Sequence, residues 1–449
     1  MRNNVLLKLI VVAFLGVAFM IPLGMIWGVV AERARYRDRV TAEVAQSTAS
    51  AQAVVGPVLA VRYRERVRSA APSDPARAAE VPTAERVHVL LPDSLAIRSK
   101  VSVEQRSKGI YEVPVYRAVN QLAASFRIPP RFGIDGAAEI VGEPSVVVAV
   151  GVTDSRGLRD ITARRQGGAA LEVAPGSGLA LSQQGFSMSL SDAVPGSTLG
   201  LDLALELVGT DRLTFLPVGK KTEVTMESDW AHPGFTGGFL PDERTVSRDG
   251  FSASWGLTHL ATGVNEPIAK VLAGQLDALE GKDLGVRFIQ PVDVYQQSER
   301  AVKYGGLFVV LTFVAFLLFE VLRRLEIHPV QYALCAAALV LFFLLVVSLS
   351  EHVPFHLAYL AASGACVGLL TFYVVHVLRS LARGLSFGLL LSSLYGVLYV
   401  ILLSEDYALL LGTLLLFTVL TVVMIMTRRV DWYRIGAGAA KDQPSGGTA

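Results

Sequence analysis

Long apolar runs crowd the two ends of this 449-residue chain, and they constrain its fold more than any other feature. A helix rises about 1.5 Å per residue, so about 20 apolar residues cross the hydrocarbon core of a bilayer. Val5–Ala31 has that length, with Lys8 its one charge. Five further runs follow near the C-terminus, at Tyr304–Leu322, His328–Leu349, Phe355–Leu378, Leu385–Leu403 and Tyr407–Met426. Between residues 31 and 303 the chain is ordinary and polar, with 32 acidic against 31 basic residues. Val29-Val30-Ala31 fits a signal-peptide cleavage site, but cleaved signals have apolar cores of about 7–15 residues. The first run is longer, and a retained anchor is expected.

The loops between the last five runs alternate in charge. Arg323 and Arg324 follow the first, Glu351 and His352 the second, Arg379 and Arg383 the third, and Glu405 and Asp406 the fourth. Arg428, Arg429 and Arg434 come after the last. Arginine-bearing loops stay in the cytoplasm, whereas long domains translocate largely regardless of charge. Six spans then place both termini inside, in agreement with Arg2 and Lys8, and send 31–303 outside.

Within that exported segment, apolar and polar positions alternate as in half-buried strands. The pattern covers Val87–Leu91, Ile97–Val103, Ile110–Tyr116, Ser145–Val152, Leu201–Leu207, Leu213–Val218 and Thr222–Met226. Turn signals such as Lys108-Gly109 and Pro195-Gly196 separate them. The expectation is an α+β membrane protein: an N-terminal transmembrane anchor (1–30), a large β-rich sandwich or supersandwich domain (31–303), a C-terminal bundle of about five transmembrane helices (304–427) and a cytoplasmic tail (428–449). Ala31–Val54 reads as a helix prolonging the first span until Gly56-Pro57, and Asn265–Leu279 as a shorter one. Ser69–Pro82 reads as a mobile hairpin loop.

A near-neutral exported segment without a basic face excludes a nucleic-acid binder. Arg33, Arg35, Arg37 and Arg39, interleaved with Glu32 and Asp38, read as a solvated helix leaving the membrane, with a lipid-headgroup site as the alternative. Cys335 and Cys366 both lie in apolar runs, so the exported segment holds neither a disulfide nor a cysteine metal site. Phosphate-binding, zinc-protease and nucleophile-elbow motifs are missing. His352 and His356 stand at a metal-ligand spacing beside Glu351, but Pro354 breaks the helix that would align them. His232 and Asp229 are near enough in sequence to pair as acid and base; a structural histidine is the preferred reading. Glu320 lies within a span, where a carboxylate is costly unless paired, and Arg323 and Arg324 are at helical spacing from it. Gly24-x-x-x-Gly28 and Gly364-x-x-x-Gly368 offer close helix packing. Trp432 and Tyr433 read as an interfacial anchor, and Trp230–Phe235 as a dense aromatic loop that is either a recognition surface or a self-packed turn.

Several separated blocks resemble the CreD-type inner membrane proteins of Gram-negative bacteria. They are Glu32-Arg33-Ala34-Arg35-Tyr36-Arg37, Glu104–Tyr111, Ser228–Phe235 continuing through Pro241, Arg300–Gly305, His328–Tyr332, Leu349–His352, Asp406–Gly412 and Val430–Tyr433. The resemblance implies an inner-membrane location, a periplasmic domain and a role in envelope integrity under a stress-responsive regulator. It carries over no catalytic residue, and no cofactor or metal is expected. The leading expectation is a non-enzymatic envelope protein whose exported domain meets a periplasmic or inner-membrane protein partner. Membrane lipids are the other partner, and a homo-oligomer is open. Candidate contact or structural polar positions are Trp230, His232, Phe235, Arg106, Tyr111, Glu320, Glu351 and His352. A small-molecule or lipid transporter is the second reading, and an envelope enzyme using His232 and Asp229 the third.

Overall fold

The computed structural model describes residues 5–66, 83–168, 170–178, 184–263, 281–290, 294–323, 328–404 and 407–428. The expected loop at Ser69–Pro82, the helix at Asn265–Leu279, the Glu405-Asp406 pair and the Trp432-Tyr433 anchor lie outside them. The chain divides into two compact units, Met1–Asp38 with Val292–Ala449, and Arg39–Pro291.

The first unit is helical. Helices α1 (Val5–Ala18) and α2 (Met20–Ser47) follow one another, and after the β-rich segment and the short α3 (His259–Thr262) come α4 (Val294–Arg323), α5 (Pro329–Ser350), α6 (Phe355–Leu378), α7 (Leu381–Leu403) and α8 (Ala408–Thr427). Among the described residues, six helical segments are long and apolar enough to cross a membrane. Aromatic rings pack the bundle: Phe342 stands edge-on to Tyr359 and Tyr395, and the Tyr359 hydroxyl donates to the Tyr395 carbonyl at 2.7 Å. Cys335 and Cys366 are free and buried, as small packing residues.

Two sheets make up the second unit. One has the order β12 (Pro233–Gly237), β15 (Leu284–Phe288), β10 (Arg212–Leu216), β1 (Gln52–Arg66), β5 (Ile140–Val152), β8 (Gly185–Leu190) and β7 (Val173–Pro175), with β2 (Thr83–Leu90) also paired to β1. The other runs β13 (Glu243–Ser247), β14 (Gly250–Thr258), β11 (Lys221–Ser228), β3 (Ser94–Lys108), β4 (Tyr111–Arg127), β9 (Thr198–Thr210) and β6 (Leu158–Arg165). Alternation explains the faces. Along β9, Leu199, Leu201, Leu203, Leu205 and Leu207 are all buried and sit two residues apart, so they share one face. They join Val58, Val148, Leu122, Phe126 and Phe215 from both sheets in one contiguous core, as in a face-to-face sandwich.

The helix expected to run to Val54 instead ends at Ser47, and Gln52–Val54 opens β1. Long-range partners draw the backbone out of the helix. Thr210 Oγ1 donates to the Ala49 carbonyl at 3.1 Å, and the Ser50 N–H donates to Asp154 Oδ2 at 3.0 Å. Gly56-Pro57 then lies inside β1, where the register against β5 shifts between Val55 and Val58. The aromatic loop expected at Trp230–Phe235 is partly a strand, because Pro233–Gly237 pairs with β15 as the edge strand β12.

Candidate functional site

The second sheet of the sandwich carries a shallow polar groove of about 570 Å³. Register builds it. Lys100 on β3 stands opposite Glu227 on β11, Glu227 opposite Ser252 on β14, and Ser252 opposite Thr245 on β13. Four exposed polar side chains thus form a row across four strands, while the alternate residues Val101 and Phe251 turn into the core. Asp229 and Asp249 rim the groove, so three carboxylates face one lysine. Asp229 also accepts the Val103 N–H at 3.0 Å. Strand β13 is the edge of this sheet, and all five of its residues are exposed. An edge of that kind offers unpaired backbone donors and acceptors to another chain.

The residues singled out beforehand disperse around this groove. Trp230 is half-buried against the core and donates its indole N–H to the Ile289 carbonyl at 3.1 Å. Phe235 meets Phe251 and Trp255 edge-on, with the Arg244 guanidinium over its ring at 5.7 Å. Both side chains therefore pack the end of the sandwich. His232 is exposed, and its backbone carbonyl accepts the Ile289 N–H at 3.3 Å. No hydrogen bond joins its ring to Asp229 among the described residues. Arg106 is exposed on β3 opposite Val113, and Tyr111 is buried at the start of β4. The hairpin they belong to holds the end of α2: Lys108 pairs with Glu43 at 2.5 Å, and Val44 packs with Val113, Val115 and Val208.

In the helical unit the separated sequence blocks meet. Glu351, at the end of α5, pairs with Arg33 of α2 at 3.5 Å and accepts the Tyr295 hydroxyl of α4 at 3.3 Å. Arg37 lies over the Tyr295 ring at 6.0 Å. His352 and His356 are exposed, and the described residues contain no group of three metal-ligating side chains. Near the other end of α4, Glu320 accepts the Tyr332 hydroxyl of α5 at 2.9 Å. Its within-span cost is thus offset by a neighbouring helix, a partner that spacing along one helix does not reveal. The side chains of Arg323 and Arg324 lie outside the described residues.

Sequence reasoning passed over Asp154. Its carboxylate accepts Ser50 N–H and Oγ at 3.0 and 3.2 Å, and Arg156 N–H, Nε and Nη2 at 3.1, 2.9 and 2.7 Å. Arg156 also reaches the Gln46 carbonyl. The arginine two residues on was visible in the sequence, but the Ser50 partner is 104 residues away.

Two comparisons bear on identity. Against known families, residues 4–433 match the one described as Inner membrane protein CreD. Inner membrane protein CreD of Escherichia coli (strain K12) is 36% identical over 427 residues, covering 92% of this chain and 90% of that protein. Among solved structures, the M1 zinc metallopeptidase of Deinococcus radiodurans and a point mutant of it align over 37% of this chain and 38% of theirs. Their identity is 13% and the TM-score 0.21, too low to bear on fold or activity. With a family match spanning both units and a relative similar over nearly its whole length, the chain belongs to the CreD family of multi-pass inner membrane proteins.

Proposed function

We propose that this protein supports cell-envelope integrity without catalysing a reaction, by holding its β-rich unit on the periplasmic side as a partner-binding module. The observation that carries the reading is the acidic groove beside an exposed edge strand. Lys100, Glu227, Asp229 and Asp249 surround it, and β13 supplies an open backbone edge. An extended segment can pair with such an edge through main-chain hydrogen bonds, with side-chain sites along the groove giving specificity. The charge balance favours a basic segment. Alternating arginine-bearing loops support the orientation, with both termini in the cytoplasm.

A photocrosslinking side chain at Thr245, activated in living cells, is expected to trap a reproducible protein partner. Reversing the groove charge with Glu227→Lys and Asp249→Lys is expected to abolish that adduct and weaken resistance to envelope stress. Recovery of no partner, together with wild-type resistance in the double variant, counts decisively against the reading.

A further inference from the structure

Within the helical unit, α4, α7 and α8 line an apolar slot of about 770 Å³ that is open on one side. Its walls include Leu311 and Ala315 of α4, Phe387 and Leu394 of α7, and Leu415 and Val422 of α8. Three wall hydroxyls are already satisfied by their own helices. Thr312 donates to Phe308 O at 2.8 Å, Ser386 to Arg383 O at 2.8 Å, and Ser393 to Leu390 O at 2.7 Å. Apart from these and the exposed Thr418 of α8 the walls are apolar, and an apolar surface facing a void loses its dispersion contacts. The volume is within the roughly 300–1,000 Å³ of small-molecule sites.

The depth is informative. From Ser386 to Val397 the α7 wall extends about 16 Å at 1.5 Å per residue. The hydrocarbon core is about 30 Å thick, so this is the depth of one leaflet. Leu415 to Met426 of α8 gives the same depth. One helical turn before Ser386 stands Arg383. It continues the stripe of Phe387, Leu390 and Leu394 at spacings of four, seven and eleven, and no carboxylate pairs with it among the described residues. An arginine at an interface, heading an apolar slot one leaflet deep, matches an anionic headgroup joined to a fatty chain. Helix α8 is bound loosely enough to admit such a chain, since Gly412 is its one buried residue among those described.

We infer that this slot binds one acyl chain of an anionic phospholipid from the leaflet bordering Arg383, with Arg383 contacting the phosphate. The site does not depend on which side of the membrane that leaflet faces.

The test uses the full-length protein in phosphatidylcholine nanodiscs carrying a small fraction of phosphatidylglycerol with a photoactivatable acyl chain. Labelling is expected to concentrate on residues 386–397 and 415–426 over the equally lipid-facing Leu357, Leu360 and Leu369 of α6. Ala315→Trp fills the slot and is expected to remove that excess; should this variant fail to fold, Leu394→Trp fills it from α7. Arg383→Gln is expected to lower labelling by phosphatidylglycerol about tenfold, as for loss of a charge-assisted hydrogen bond. Labelling by a photoactivatable phosphatidylcholine, whose phosphate charge is offset by its choline, is expected to fall less in that variant. Even labelling of all lipid-facing helices, an excess that survives the filled slot, or adducts joining α8 of two copies would each overturn the inference.

Discussion

At the scale of single residues, Asp154 shows how a polar group can hold a helix end and a strand start together. Its side chain is 8% exposed and saturated with donors. The Arg156 side chain, followed by the Ser50 and Arg156 N–H groups, holds its carboxyl well below the usual carboxylate range. Asp154→Asn keeps the shape and removes the charge, so it is expected to cost about 2 kcal/mol, as for hydrogen bonds to charged groups. Denaturant midpoints of the purified protein would read that loss. Because the folded value lies below the unfolded one, near 3.9, the stabilisation is complete at neutral pH and is lost as pH falls. The gap between wild type and Asp154→Asn is therefore expected to start narrowing below about pH 4.

At the scale of elements, the glycines that matter for helix packing are not those that motif spacing selected. A Cβ on Gly24, Gly28, Gly364 or Gly368 meets nothing within 4 Å. On α7, a Cβ at Gly384 would overlap Val375 and lie 2.9 Å from its Cα, and one at Gly388 would overlap Thr371 of α6. The backbones of α6 and α7 approach each other there, and backbone cannot yield as a side-chain tip can. Gly384→Ala is expected to destabilise the bundle by about 1–3 kcal/mol, the cost of overpacking. Gly364→Ala is expected to stay within about 0.5 kcal/mol. Melting of the two variants in detergent separates the cases; equal melting temperatures would remove the close approach as a packing determinant.

At the scale of the whole molecule, the charge of the interhelical loops carries the orientation. If arginine-bearing loops remain inside, the turn after α5 and the turn after α6 open to opposite sides. Cysteine introduced at His352 is expected to react with an impermeant maleimide applied to intact spheroplasts. Cysteine at Ser380 is expected to react only after permeabilisation. Cys335 and Cys366 are buried and contribute little background. Labelling of both positions from the same side would reverse or dissolve the proposed topology.

Periodicity and length were enough to read six spans, a β-rich middle and its strands, because bilayer thickness and strand pleat act locally and leave repeats of fixed period. The polar groove was not legible. Its row of Lys100, Glu227, Ser252 and Thr245 exists only once β3 and β11 pair in parallel and β14 and β13 return antiparallel. Glu320 stood out as a costly within-span carboxylate and Glu351 as a loop charge beside two histidines, yet Tyr332 and Arg33 became their partners only through helix packing. By itself the sequence determined which segments enter lipid and which positions face a core, since both follow from solvent preference along the chain. The tertiary structure alone decided where α2 stops, which glycines bring helices together and which charges share a surface, because those depend on contacts between residues far apart in the chain.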